Sequence, residues 1–232
     1  RVLFRSEAHH VVYTWAGPEI AVASTKAYET QLIAMYILGI YFGEIKGTID
    51  NELSEALKEE LMNLSEKVKE ILTQKEKLQK YASKNYMDKD VFFLGRGLDY
   101  AVALEGSLKL KEISYIHSEA YAGGELKHGT IALIEDGTPI IALLTDEKLK
   151  DKMISNIREV VTRGAKILGI ANEGDKEAKE VCDDVIYIPK TNALLTPVLS
   201  VVPLQLLAYY MAKQKGCDVD KPRNLAKSVT VE

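Results

Sequence analysis

Glu105, Lys109 and Glu112 have the residue types and the spacing that proton transfer requires. They are separated by four and three positions, so on a helix they lie on one face. A carboxylate next to a lysine can act as a general acid or base, because the neighbouring charge shifts its pKa. The same spacing is typical of a solvated stripe whose ion pairs only stabilise the helix. The spacing alone leaves both interpretations open.

His128 lies in a glycine-rich segment, residues 122–129, that follows this helical stretch. Imidazole titrates near neutral pH, which makes histidine a common proton-transfer group. A histidine in a glycine-rich loop is a better candidate for this role than one on an apolar face. A surface histidine without a catalytic role fits the same segment.

Two further features could bind or attack a substrate. Gly95, Arg96 and Gly97 stand between a predicted strand and a predicted helix, where backbone N–H groups can approach an anion. They do not complete a dinucleotide or P-loop fingerprint, so a plain tight turn is the alternative. Lys227, near the C-terminus, can form a Schiff base with a carbonyl sugar. The alternative for a lone tail lysine is a solvated side chain.

The residue types give no indication of a metal or cofactor site. Cys182 and Cys217 form no CxxC pair, and the four histidines form no zinc-ligand pattern with them. There is no GxSxG nucleophile motif either. We expect both thiols to be inert in a reducing compartment.

The candidate residues need a scaffold, and the pattern after residue 90 predicts alternating strands and helices. The predicted strands are residues 91–94, 139–144, 166–171 and 185–188, and the predicted helices are residues 99–116, 146–163 and 196–215. Short strands separated by crossover helices predict an α/β fold with a doubly wound parallel sheet flanked by helices. In such sheets ligands bind beyond the carboxyl ends of the strands.

The part of the chain before this alternation is predicted to be mainly helical. A short β-branched and aromatic run at residues 11–14 precedes a turn signal at residues 17–18. A helix is predicted for residues 19–42. A second, amphipathic helix is predicted from residue 50 to about residue 84, as a connector between domains.

The composition excludes several classes of protein. The 232 residues carry a net charge of -4, so no basic field exists for nucleic acid. The apolar stretches 31–42 and 198–212 are too short, or are interrupted by Pro203 and Gln205, to span a membrane. We therefore expect a cytoplasmic protein with no nucleic-acid or membrane partner.

The candidate residues belong to longer segments that resemble the isomerase part of the glucosamine-6-phosphate synthase family. These segments are residues 16–27, 94–97, 103–121, 124–129 and 218–232. The resemblance extends from about residue 7 onward. It implies a fold of the SIS (sugar isomerase) type. It also implies conversion of fructose 6-phosphate to glucosamine 6-phosphate with ammonia derived from glutamine, without a cofactor.

The resemblance also implies a domain order. Residues 7–46 would end a first SIS domain, residues 47–84 would form a connecting helix, residues 85–221 a second SIS domain, and residues 222–232 an active-site tail. We expect residues 1–6 not to be native. We also expect the family's glutaminase domain to be missing, together with the serine- and threonine-rich phosphate loop of the first SIS domain. The chain alone is therefore expected to be nearly inactive.

The resemblance assigns roles to the reactive residues. Glu112 resembles the base that moves a proton between C1 and C2 of the aminated sugar. His128 resembles the ring-opening acid–base that each subunit of a homodimer supplies to its neighbour. Lys227 resembles the lysine that forms a Schiff base with the open-chain ketose. Glu105 and Lys109 resemble supporting members of the proton-transfer network.

Four further positions resemble binding residues of the family. Arg223 corresponds to an anchor of the tail. Val22, Ser24 and Ala226 correspond to sugar-contacting positions. The resemblance implies no metal ligand among them.

Two alternatives remain open. Another SIS-type phosphosugar isomerase or deglycase would share the helix that carries Glu105 and Glu112, although the ending at residues 227–232 favours the synthase. A SIS module that binds a phosphosugar only for regulation would not need a base. The joint presence of Glu112, His128 and Lys227 argues against this second alternative.

Overall fold

The centre of the molecule is a five-stranded parallel sheet, seen in a computed structural model that describes residues 7–227. The strands lie in the order β2-β1-β3-β4-β5. Their bounds are β1 Asp90–Gly95, β2 His117–Ala122, β3 Pro139–Leu144, β4 Lys166–Asn172 and β5 Asp184–Ile188. The predicted doubly wound parallel sheet is confirmed.

Seven helices of the described part surround or precede the sheet. They are α1 Lys26–Lys46, α2 Asn51–Leu72, α3 Lys75–Asn85, α4 Leu98–Ser114, α5 Lys150–Val161, α6 Lys176–Val181 and α7 Thr196–Gln214. Two short 3-10 turns, Leu126–His128 and Thr130–Leu133, follow β2. None of these helices has the length and apolar character needed to cross a membrane.

Alternating side chains of the strands divide the core into two clusters. Val91 and Phe93 of β1 point to the face covered by α2, α3, α4 and α7. Phe92 and Leu94 point to the opposite face, which α5 and α6 cover. Since both faces are buried, the inner strands are apolar at nearly every position. Helix α4, which contains the charged residues predicted from the sequence, covers the first face.

The structure differs from the predicted elements in four places. Strand β2 was not predicted, because His117–Ala122 contains no β-branched residue and pairs only with β1 at the sheet edge. Helix α6 was also missed. Helix α1 begins at Lys26 and extends to Lys46, whereas the apolar pattern predicted residues 19–42.

The predicted helix over residues 50–84 is two helices, α2 and α3, with a break at Thr73 and Gln74. At this break the side-chain amide of Gln74 donates to the carbonyl oxygen of Tyr187, at 2.6 Å. The N–H of Tyr187 donates to Gln74 Oε1, at 3.2 Å. Gln74 thus pairs with the outer backbone of edge strand β5 and covers part of this sheet edge.

Candidate active site

Helix α4 holds the predicted charged cluster in a largely buried position. Lys109 is 5% exposed, and its Nζ lies 3.5 Å from Glu105 Oε1 and 2.5 Å from Glu112 Oε2. The side chain of Glu112 keeps 22% of its surface exposed. One ammonium group is therefore enclosed by two carboxylates. This arrangement excludes the solvated stripe that the spacing also allowed.

The three charges of the cluster act directly on one another. Burial raises the pKa of Glu105, while the Lys109 charge opposes this rise and the Glu112 charge adds to it. Glu112 Oε2 is shielded from solvent and accepts no hydrogen bond within the described residues, because the contact with Lys109 is ionic without hydrogen-bond geometry.

The tail lysine contacts the segment that precedes α1, although its side chain remains 40% exposed. Lys227 Nζ donates hydrogen bonds to the carbonyl oxygen of Ala21 at 2.7 Å and to Ser24 Oγ at 3.2 Å. It also lies 3.5 Å from Glu19 Oε2 and 3.5 Å from the carbonyl oxygen of Val22. Two of the predicted sugar-contacting positions, Val22 and Ser24, therefore surround this amino group.

Glu19 is a member of this group that sequence reasoning missed. Its carboxylate accepts a hydrogen bond from the Thr25 N–H at 2.7 Å. Burial works to raise its pKa, but hydrogen bonds from Thr25 and Ser24 and the Lys227 charge together leave it lowered. Glu19 is thus held as a carboxylate beside Lys227. Its contact with Lys227, 208 positions away in the chain, could not be predicted from a local pattern.

The tail is fixed by contacts upstream of Lys227. The carbonyl oxygen of Asp220 accepts from the Val22 N–H at 2.9 Å. The N–H of Arg223 donates to the Tyr115 hydroxyl at 2.8 Å, and its guanidinium lies 4.2 Å from the centre of the Tyr115 ring. Ala226, the third predicted sugar-contacting position, is exposed next to Lys227. Tyr115 was also missed from the sequence.

The direction of the strands places these groups at one edge of the sheet. Helix α4 runs back from the carboxyl end of β1 to the amino end of β2, so Glu112 lies near the amino edge. Tyr115, three positions later, holds the tail at the same edge. At the start of α1, burial raises the pKa of Tyr28 and the charge of Glu105 adds to this rise. Tyr28 of α1 is therefore close enough to Glu105 of α4 for the two side chains to interact electrostatically.

His128 lies at the other edge. It ends the 3-10 turn that follows the carboxyl end of β2, and its side chain is exposed. The six residues of β2 span about 20 Å. Because Glu112 precedes this strand and His128 follows it, the structure does not bring these two residues of one chain together.

The glycine motif at the carboxyl edge is a turn. Arg96 donates from Nε and Nη2 to Asn156 Oδ1, at 3.0 and 2.8 Å. A Cβ on Gly95 would lie 2.5 Å from the backbone of Asp99. Asp99 is buried, and it accepts from the N–H and the hydroxyl of Thr145. A buried carboxylate here disfavours an anion, so the turn interpretation is supported over a ligand loop.

The described residues contain no group of three or more histidine, cysteine or acidic side chains placed to hold a metal ion. Cys182 and Cys217 are free thiols, and burial raises the pKa of Cys182 to about 12. A thiol with this pKa is a poor nucleophile at neutral pH.

Comparisons with known proteins give one family and a set of close relatives. A family model described as the SIS domain matches residues 86–213. Glutamine--fructose-6-phosphate aminotransferase (isomerizing) of Clostridium acetobutylicum is 67% identical over 225 residues, which cover 97% of this chain and 37% of that protein. The chain thus spans little more than a third of the length of this relative.

Solved structures give the same result. The C-terminal domain of glucosamine-fructose-6-phosphate aminotransferase from Francisella tularensis is 40% identical, with a TM-score of 0.90 over 95% of this chain and 62% of that one. Glucosamine-6-phosphate deaminase from Thermotoga maritima is 24% identical, with a TM-score of 0.61 over 91% of this chain and 59% of that one. The second likeness concerns the fold alone.

Proposed function

The chain belongs to the SIS domain family, and we propose that it is the C-terminal isomerase part of an enzyme that makes glucosamine 6-phosphate. The substrates of this enzyme would be fructose 6-phosphate and ammonia released from glutamine. The observation that carries the proposal is the position of Lys227, whose amino group is hydrogen-bonded to the segment predicted to contact the sugar. The identity to the Clostridium acetobutylicum aminotransferase supports the same reaction.

In the proposed reaction each residue has the role that the family resemblance assigns to it. Lys227 attacks the C2 carbonyl of the open-chain ketose, and loss of water gives an imine. Ammonia then replaces the lysine at C2. Glu112 removes a proton from C1 of the imine and returns it to C2, while the C1 hydroxyl proton passes to the nitrogen, which leaves an aldehyde at C1 and an amine at C2. The positive charge of Lys109 lies next to the carboxylates of Glu112 and Glu105. It therefore offsets part of the negative charge of both groups while the proton moves.

His128 is proposed to act on the neighbouring subunit of a homodimer. It would open the sugar ring in the site that contains the other chain's Glu112. The separation of the two residues along β2 within one chain supports this assignment, because His128 does not reach the Glu112 of its own chain.

We also propose that residues 7–46 complete a first SIS domain supplied by further sequence. The outer side of α1 supports this view, because it exposes large apolar side chains. These are Met35, Ile37, Tyr41, Phe42 and Ile45. The remainder of that domain would cover them and would provide the phosphate-binding loop. The connecting helix of residues 47–84 corresponds to α2 and α3, and the second SIS domain to residues 85–221.

The main competitor is a related phosphosugar isomerase or deglycase with the same helix α4. A phosphosugar sensor is less compatible with the site, since binding alone requires neither the buried ion cluster nor an amino group positioned for attack. The direction of the reaction separates the first competitor from the synthase. A synthase forms glucosamine 6-phosphate from fructose 6-phosphate, whereas a deglycase releases sugar phosphate from an amine adduct.

The experiment is a product assay on the full-length enzyme rebuilt from the source DNA. Glucosamine 6-phosphate is measured after incubation with fructose 6-phosphate and glutamine. We expect Glu112→Gln to lower the rate by roughly 100-fold or more, because the amide cannot accept the proton. Glu76→Gln is the matched control, since Glu76 is exposed on α3 and forms no ion pair within the described residues. Binding of sugar without product by the wild type would contradict the synthase assignment.

A further inference from the structure

We propose that Tyr115 is a positioning residue that fixes the C-terminal tail, and with it Lys227, relative to the helix that carries Glu112. This inference rests on the proposed function. It concerns a residue without a role in the chemistry described above. Three observations carry it: a strained backbone, two contacts with a single tail residue, and a stretch of tail that has few other contacts.

The backbone of Tyr115 has the left-handed conformation, with φ 59° and ψ 19°. This conformation suits glycine or asparagine and is unfavourable for a large aromatic residue. Among the described residues, only Trp15 and Asn224 also have positive φ without being glycine. A strained aromatic residue at a short helix-to-strand connection, where glycine would fit without cost, indicates that its side chain is needed.

The side chain of Tyr115 makes two different contacts with Arg223. Its hydroxyl accepts the Arg223 N–H at 2.8 Å, which fixes the backbone of the tail. Its ring lies under the guanidinium at 4.2 Å, which fixes the direction of the Arg223 side chain. One aromatic residue therefore determines both the position and the orientation of this point of the tail.

Between this anchor and Lys227 the tail has few other contacts. Residues 224–226 make no hydrogen bond or ion pair with the described part of the chain. Asn224 turns the chain with φ 62°, and Lys227 then reaches the carbonyl oxygen of Ala21. Loss of the Arg223 contacts would leave the chain without a hydrogen bond from residue 223 to residue 226, so the Lys227 amino group would be held less well.

The same short segment carries the proposed base. Glu112 lies in the last turn of α4, and Tyr115 directly follows this helix. The carboxylate that moves the proton and the anchor of the Schiff-base lysine are thus parts of one rigid unit. The spatial relation between Glu112 and Lys227 is set by Tyr115, although Tyr115 does not touch the reacting atoms.

The test measures Schiff-base formation directly in the full-length enzyme. Fructose 6-phosphate is added, the imine is reduced with borohydride, and the fraction of Lys227 carrying the reduced adduct is measured by peptide mass spectrometry. Tyr115→Phe removes the hydroxyl but keeps the ring, and we expect about a five- to tenfold slower trapping. Tyr115→Gly removes both contacts while suiting the backbone, and we expect a larger loss.

Folding is measured on the same samples. Tyr115→Gly relieves the backbone strain, so its melting temperature should remain within a few degrees of the wild type. A matched control is Tyr86→Phe, because Tyr86 is half-buried at the end of α3 and forms no side-chain hydrogen bond within the described residues. This control should trap the sugar as fast as the wild type.

The outcomes separate the inference from the proposed function. Failure of the wild type to form any adduct at Lys227 would contradict the proposed function itself. Normal trapping by the wild type together with equally fast trapping by Tyr115→Gly would overturn the positioning role of Tyr115 and leave the function intact. Slow trapping by a normally folded Tyr115→Gly, with an intermediate rate for Tyr115→Phe, would support it.

Discussion

Lys109 and Lys227 have the same side chain in different surroundings. Lys109 is buried between two carboxylates on its own helix, so it acts as a fixed positive charge. The side chain of Lys227 is 40% exposed and contacts carbonyl and hydroxyl oxygens of a distant segment. Only the second arrangement leaves an amino group that a substrate can approach. This difference supports the separate roles that we propose for the two lysines.

The sequence predicted the surroundings of Lys109 better than those of Lys227. Glu105, Lys109 and Glu112 form a local pattern, because their spacing places them on one helical face whatever the rest of the chain does. Glu19 and Tyr115 make their contacts with the tail, at a separation of more than 100 residues. Such contacts depend on how the tail packs, and no local pattern encodes them.

Glu29 provides a prediction on the pH dependence of stability. Burial raises its pKa to about 7, the Glu19 charge adds to the rise, and the Gln205 amide opposes it. Because the pKa in the folded state exceeds the ordinary carboxyl value, the folded protein binds this proton more tightly than the unfolded chain. The corresponding stability is complete below about pH 4.5 and is lost as the pH rises toward 7.

We therefore expect Glu29→Gln to stabilise the chain above pH 7, on the order of 2 kcal/mol, and to have almost no effect near pH 4.5. Urea unfolding of both proteins at these two pH values measures the difference. Glu76→Gln, an exposed carboxylate on α3, should show no such pH dependence. An equal effect of Glu29→Gln at both pH values would disprove the raised pKa.

At the scale of elements, the buried strands were the most predictable. Strands β1, β3 and β4 are short apolar runs bounded by polar residues, and their predicted positions agree with the structure to within one residue. Strand β2 was missed because its residues His117–Ala122 are mostly polar or small, and only its pairing with β1 makes it a strand. Strand β2, which the sequence did not predict, matters for the proposed function because it separates Glu112 from His128.

The close packing of α4 against α7 gives a prediction at this scale. A Cβ on Gly106 would lie 2.5 Å from Leu204 Cδ1 and 3.1 Å from Leu204 Cβ. We expect Gly106→Ala to force α4 away from α7 and to lower the free energy of unfolding by about 1–3 kcal/mol. Because Gly106 adjoins Glu105, enzyme activity should fall as well.

Gly39→Ala is the control for this substitution. Gly39 lies within α1, and a Cβ there would have no neighbour within 4 Å. Alanine is the better helix former, so Gly39→Ala should stabilise the chain by about 0.5–1 kcal/mol. Thermal unfolding of the two variants provides the comparison. A stabilising effect of Gly106→Ala would show that α4 and α7 are not packed as closely as described.

At the scale of the whole molecule, the parallel sheet separates the reactive groups. All five strands point in one direction, so each crossover helix returns to the amino edge while each strand ends at the carboxyl edge. The cluster of α4 and the tail lie at the amino edge, and His128 lies at the carboxyl edge.

The sequence predicted ligand binding at the carboxyl edge of this sheet, but there the motif at residues 95–97 forms a turn beside the buried Asp99. This separation is consistent with our proposal that a second copy of the chain supplies the histidine for the site at the amino edge.

The most direct measurement of this account is complementation between two inactive variants. Full-length chains carrying Glu112→Gln and His128→Asn are produced together with different affinity tags, and the mixed dimer is purified with both tags. One of its two sites then combines an intact Glu112 with the partner subunit's His128. We expect each variant alone to be inactive and the mixed dimer to recover about half of the wild-type rate of glucosamine 6-phosphate formation. An inactive mixed dimer would contradict a site built from both subunits.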